Sequence, residues 1–95
     1  MPVAYPQSSG SQNADAAIRA YGPGWFFGAD LSGGSAASTL VLHDDASGTT
    51  GAVIAQLSCV ATGSDHVLCD PPLRVTNGIY ANVGGTGATY VVRYA

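Results

Sequence analysis

The chain has 95 residues, of which 46% are hydrophobic and only 9% charged, with a formal net charge of −3. Three arginines (Arg19, Arg74, Arg93) are its strong cations; lysine, glutamate and any basic cluster are absent. This balance argues against nucleic acid, whose phosphates need many Lys and Arg, and against an anionic membrane surface.

Ninety-five residues build one domain. The chain is rich in Gly, Ser, Thr, Val and Ala and poor in charged helix formers, which favours strands and turns. So few charges protect a monomer poorly against association. Either Ser, Thr and Asn keep a small neutral domain soluble, or other protein chains cover much of the surface.

Residues 1–13 (MPVAYPQSSGSQN) read as an N-terminal arm. Pro2 and Pro6 disfavour a central strand, and Ser8 to Asn13 is turn-like. Val3 and Tyr5 are apolar residues on a segment with no core of its own. They suit either a frayed terminus or an extended arm that orders on a neighbouring subunit. Residues 14–95 form the expected single domain. Residues 14–21 (ADAAIRAY) predict a strand with Ile18 inward and Arg19 outward, although Asn13 would also cap a short helix. Gly22-Pro23-Gly24 breaks the chain before Trp25-Phe26-Phe27, the densest aromatic cluster. These aromatics serve as core anchors or, in the alternative, as an exposed anchor at an interface.

Residues 30–35 (DLSGGS) predict a loop. Residues 36–43 (AASTLVLH) predict a strand with Leu40 and Leu42 on one face and Thr39, Val41 and His43 on the other. Residues 44–50 (DDASGTT) form a turn. Residues 51–60 (GAVIAQLSCV) make the most apolar strand, expected to be central and covered on both faces. Residues 61–65 turn the chain, 66–70 run back, and Pro71-Pro72 should stop pairing. Asn77-Gly78 signals another turn. In the closing stretch Ile79, Ala81 and Val83 alternate with Tyr80 and Asn82, and Ala88, Tyr90, Val92 and Tyr94 alternate with Thr89, Val91 and Arg93. Gly84-Gly85-Thr86-Gly87 between them predicts a hairpin. The spacing of turns points to an all-β antiparallel β-sandwich, jelly-roll-like or Greek key, of seven or eight short strands.

No constellation announces a reaction. A symmetric hairpin about Ser64 would set Cys59 opposite Cys69, where a disulfide is geometrically conceivable. A cytoplasmic chain would instead keep both thiols reduced. His66 is near Cys59 in sequence but lacks an acidic orienter. His43, Asp44, Asp45, His66 and Asp70 show no metal-ligand spacing, and the Asp residues suit turns. The GGTG stretch lacks the Lys and following helix of a phosphate-binding loop. No catalytic residue, metal or cofactor is therefore expected, and no enzymatic activity. Met1-Pro2 opens without a charged and then apolar leader, and no apolar run approaches the ~20 residues that span a bilayer. Synthesis in a cytoplasm is the expectation.

Two stretches carry a family resemblance: SGGSAASTLVLHDDASGTTGAVIAQL, then PPLRVTNGIYANVGGTGATYVVRYA. Together they cover roughly residues 32–95. Their order resembles small structural proteins of tailed bacteriophages: a Gly/Ser-Ala-Ala turn, a Thr-Leu-x-Leu-x-Asp strand, a Ser-Gly-Thr turn, an Ala-x-Leu strand, and a closing Leu-Arg-Val-Thr-Asn-Gly-Ile-Tyr strand with its Gly-Thr-Gly-Ala-Thr turn. Residues 1–31, Cys59, His66 and Cys69 fall outside the pattern. The resemblance implies a virion protein, and among such proteins a decoration or cement protein on the outside of the head. Its implied partners are the major capsid protein and copies of itself, as dimer or trimer. The interface residues expected on this reading are Val3, Tyr5, Pro6, Trp25 and Phe26. The alternative is a tail, fibre or head-spike module that binds host glycan or another virion protein, with Tyr80, Asn82 and Tyr94 as candidates.

Overall fold

The computed structural model describes residues 7–95, which form eight strands and no helix. These are β1 (Gln7–Ser8), β2 (Ala16–Arg19), β3 (Gly24–Ser32), β4 (Ser38–Asp44), β5 (Ala52–Cys59), β6 (Ser64–Val75), β7 (Ile79–Gly84) and β8 (Thr89–Tyr94). They pair antiparallel in two four-stranded sheets, ordered β1-β8-β3-β6 and β2-β7-β4-β5. Only β4 and β5 are joined as a hairpin; every other connection crosses from one sheet to the other. This is the winding of a jelly roll, and it confirms the expected antiparallel sandwich.

The core forms where the inward rows of the two sheets meet. Phe26, Ala29 and Leu31 of β3 and Tyr90 and Val92 of β8 face Leu40 and Leu42 of β4, Leu57 of β5 and Ile79 and Ala81 of β7. Apart from β3, these rows follow the period of two that the sequence carries. The closing stretch departs from expectation in its pairing. β7 and β8 are not a hairpin: β7 lies between β2 and β4, and β8 between β1 and β3. The Gly84–Gly87 turn is an arch that carries the chain across the core. A hairpin would set the rows of Ile79 and Tyr90 side by side, whereas the arch sets them face to face. The turn is held from the facing loop, where Ser35 N donates to Thr86 O at 3.1 Å. Gly34 packs so closely on Thr86 that a Cβ there would collide with its carbonyl. Gly85 adopts a φ of +106°, which a side chain rarely tolerates.

Three further elements correct the sequence reading. Residues 30–32, expected in a loop, continue β3. A bulge at Phe27 breaks the register with both neighbouring strands, so Phe26, Ala29 and Leu31 all point inward despite uneven spacing. Pro71-Pro72 does not end β6. The register jumps from Leu68 opposite Gly28 to Leu73 opposite Phe26, and the prolines occupy the excursion between them. β6 is the outermost strand of its sheet, where a missing N–H costs no ladder bond. β5, expected at the centre, is instead the edge of the second sheet. His43 shares the outward row of Thr39 and Val41, yet it is buried because the turn after β4 covers it. Its Nδ1 lies 3.1 Å from Gly51 O, so Nδ1 carries the proton it donates.

Residues 7–12, part of the expected arm, lie along β8 of the same chain. Gln7 pairs with Tyr94, Ser9 Oγ accepts from Val92 N at 2.8 Å, and Gln12 bridges Tyr90. Asp15 accepts Val83 N at 2.8 Å, and the Tyr90 hydroxyl donates to Ala14 O at 2.6 Å, which ties this segment to both sheets. Burial, reinforced by the charge of Asp15, raises the Tyr90 phenol to about 12. The folded state thus holds that proton more tightly than the unfolded chain, which releases it near pH ~10. The stability it contributes is intact below pH ~10 and is lost as pH rises through about 12.

Denaturant unfolding of the wild type should therefore shift to lower midpoints across this alkaline window, and Tyr90→Phe should flatten that decline. Removing the Leu40 side chain in Leu40→Ala should cost about 2–5 kcal/mol. Val60→Ala, at a side chain 73% exposed, should stay within about 0.5 kcal/mol of wild type.

Candidate functional site

Two surfaces stand out from the rest. The first is the open side of β5. The sandwich has two long edge strands, β5 and β6, and they differ in chemistry. β6 carries Asp65, His66, Asp70, Pro71, Pro72 and Arg74, which discourage a further strand. β5 reads AVIAQLSC, with no charge and no proline. Leu57 turns inward to the core, while Val53 remains 56% exposed. One end of the edge is sealed from within: Asp65 of β6 accepts Ser58 N at 3.2 Å. Alternation along the strand places the main-chain groups of Gln56 on the same open side, beyond the reach of that cap. The bare part of the edge is therefore Ala52 to Gln56.

The second surface is a cleft of about 460 Å³ at one end of the sandwich, lined by Gln7, Arg19, Pro23, Gly24, Trp25, Arg74 and Ala95. β2 delivers Arg19 as its last residue, β3 opens with Gly24 and Trp25, and sheet pairing sets Arg74 opposite Trp25. The Arg74 guanidinium lies 5.6 Å from the centre of the indole. Arg19 stacks 4.2 Å from the Tyr21 ring centre and donates to the Tyr21 carbonyl. Gly24 makes room for it, since a Cβ there would sit 2.7 Å from the guanidinium. Main-chain bonds between Trp25 and Ala95, at 2.8 and 2.9 Å, close one wall.

The third arginine is occupied elsewhere. Arg93 Nη1 lies 2.7 Å from Asp30 Oδ2 on the outer face of the first sheet. The hydrogen bond from Arg93 holds the Asp30 carboxyl below its ordinary value of 3.8. Among the described residues neither Arg19 nor Arg74 makes an ion pair, and residues 1–6 contain no Asp or Glu. Most acidic side chains are engaged with main-chain N–H groups. Asp44 accepts from Thr76 and Asn77, and Asp45 accepts from Ser47, Gly48 and Gly51.

Of the expected interface residues, Trp25 is half-buried in the cleft wall and Phe26 is fully buried in its own core, out of reach of any neighbour. Val3, Tyr5 and Pro6 lie outside the described residues. The glycan candidates do not converge: Tyr80 and Asn82 stand on β7 in the second sheet, and Tyr94 packs against the core from β8 in the first. The Cys59–Cys69 hairpin does not form, because β5 and β6 belong to different sheets; both thiols are free and pack at the core margin. His66 sits exposed opposite Asp30 on β6, away from the inward side of Cys59. Among the described residues no three His, Cys or Asp side chains gather in a metal-binding group. No protein-family model matches the chain, and no curated protein or solved structure does.

Asp30 and Asp45 both sit below 3.8 in the folded state, Asp45 chiefly through the bond from Ser47 N. Their contribution to stability is present above the unfolded value and is lost as pH falls through the lowered one. Chemical denaturation across roughly pH 5 to 2, the carboxylate range, should show falling midpoints. The fall should be smaller in Asp30→Asn and Asp45→Asn.

Proposed function

We propose that the chain is a structural, protein-binding module: a virion decoration protein that binds the major capsid protein on the outside of an assembled phage head and associates with copies of itself. The observation that carries this reading is the bare stretch of β5. An uncharged, proline-free edge leaves main-chain donors and acceptors without strand partners beside exposed apolar side chains. Such an edge gains a ladder and buries Val53 when a further strand aligns with it.

Composition agrees, since a surface with 9% charged residues in the chain is suited to being covered. The phage-like pattern of residues 32–95 supplies the choice of a virion. The jelly roll is compatible by analogy, as it occurs in viral capsid and lectin domains and in cupins. The mechanism is burial of interface: stable contacts cover roughly 1,200–2,000 Å². Repetition over many copies multiplies a modest single contact.

The test is co-sedimentation with intact and expanded phage capsids, with mass measurement of the free protein. Wild type should pellet with capsids. The double variant Val53→Lys/Gln56→Lys should stay in the supernatant while keeping its β-sheet circular dichroism. Failure of wild type to bind any capsid would remove the decoration role; full binding by the double variant would remove β5 from it. Truncation separates the two parts of the N-terminal segment. Loss of residues 1–6 should weaken capsid binding with the fold intact, whereas loss of 7–12 should lower stability because it strips β8 of its neighbour.

A further inference from the structure

We infer that the cleft between Arg19, Arg74 and Trp25 binds a carboxylate side chain on an extended acidic segment of a protein partner. The inference deepens the protein-binding reading and rests on it for the choice of a protein as the source of the carboxylate.

The charge distribution comes first. The chain is acidic overall, yet two of its three arginines converge on one cleft. The remaining one is neutralised by Asp30. With most aspartates turned to main-chain N–H groups, and the Ala95 oxygen in the cleft wall accepting from Trp25 N, the cleft sets two arginines against that one terminal group and is a local positive spot on a negative molecule. Such a spot selects a ligand that is itself compact in charge. A phosphate polymer would meet two free guanidiniums and then the repulsion of the surrounding net charge of −3.

The geometry adds donor capacity. Each guanidinium lies near an aromatic ring, Arg19 on Tyr21 and Arg74 on Trp25. A ring contact does not consume N–H donors, so these remain for a ligand, apart from the one Arg19 gives to the Tyr21 carbonyl. The close Tyr21 ring and the bond to its carbonyl hold Arg19 in advance, so less of its rotamer freedom is lost on binding. The planar fork matches a carboxylate in a two-point contact. The cleft volume of about 460 Å³ falls in the range of small-ligand sites, room for a side chain and its flanking peptide. Arg, Trp and Tyr are also the residue types that dominate protein interfaces.

The chain has one tryptophan, so its fluorescence reports on the cleft directly. The experiment titrates the intact protein with a capped penta-glutamate peptide, the matching penta-glutamine peptide, inorganic phosphate and a sialylated trisaccharide, with calorimetry in parallel. The acidic peptide should shift Trp25 emission and bind at least about tenfold more tightly than the glutamine peptide, with affinity falling as salt rises. Arg19→Ala and Arg74→Ala should each weaken it about tenfold or more. Arg19→Lys and Arg74→Lys, which keep charge and fold but lose the fork, should fall between. Equal binding of the two peptides, or unchanged binding in the lysine and alanine variants, overturns the proposal. Tighter binding of phosphate or of the sialylated sugar overturns the choice of a protein ligand. Peptide binding alongside failed capsid sedimentation removes the decoration role and leaves the cleft standing.

Discussion

The fold depends on one constraint: the inward rows of the two sheets share a single core, and β7 and β8, consecutive in the chain, lie in opposite sheets. Ile79 and Ala81 look out from the middle of one sheet, and Tyr90 and Val92 from the middle of the other. Each of these strands has a neighbour on both sides, so each sheet is assembled around one of them. The short glycine arch between them sets where the sheets can lie. Every later feature follows from that arrangement, including which strands are left at the edges and which loops share an end.

The edges show how the same architecture yields two different surfaces. β6 carries its charges and prolines where a further strand would have to pair, and its excursion at residues 69–72 spoils the register there. β5 has neither device, and its protection is borrowed from Asp65 across the sandwich. Main-chain groups exposed at an edge are favourable only while water or a partner satisfies them. At the other corner, aromatic rings lie beside two arginines without neutralising them. An uncharged edge and an arginine-lined cleft thus occupy separate parts of one small domain.

Much of the inward pattern was legible in the sequence because period two is a local property. Leu40 with Leu42, Ile79 with Ala81, and Tyr90 with Val92 all face the core as their spacing implies. Partnership was not legible, since a hairpin and an arch carry the same alternation. β3 was read too short because the extra residue at Phe27 shifts the alternation by one. β5 was misplaced because an apolar run suits a covered centre as well as a bare edge. The cleft was half visible: Trp25 drew attention as an aromatic, but nothing in the sequence joins it to Arg74, which reaches it only through sheet pairing between strands half a chain apart.

The place of β8 also constrains how the protein is made. Its residues lie between β1 and β3, so Gln7 meets Tyr94 and Phe26 meets the same residue from the other side. Until residue 94 has left the ribosome the first sheet has a gap in its interior, and β1 has nothing to hold. A nascent chain halted earlier can close only the β4–β5 hairpin locally, and non-local pairing of this kind folds slowly. The first sheet is therefore completed only after translation of its last strand, and the uncharged edge of β5 stands open throughout.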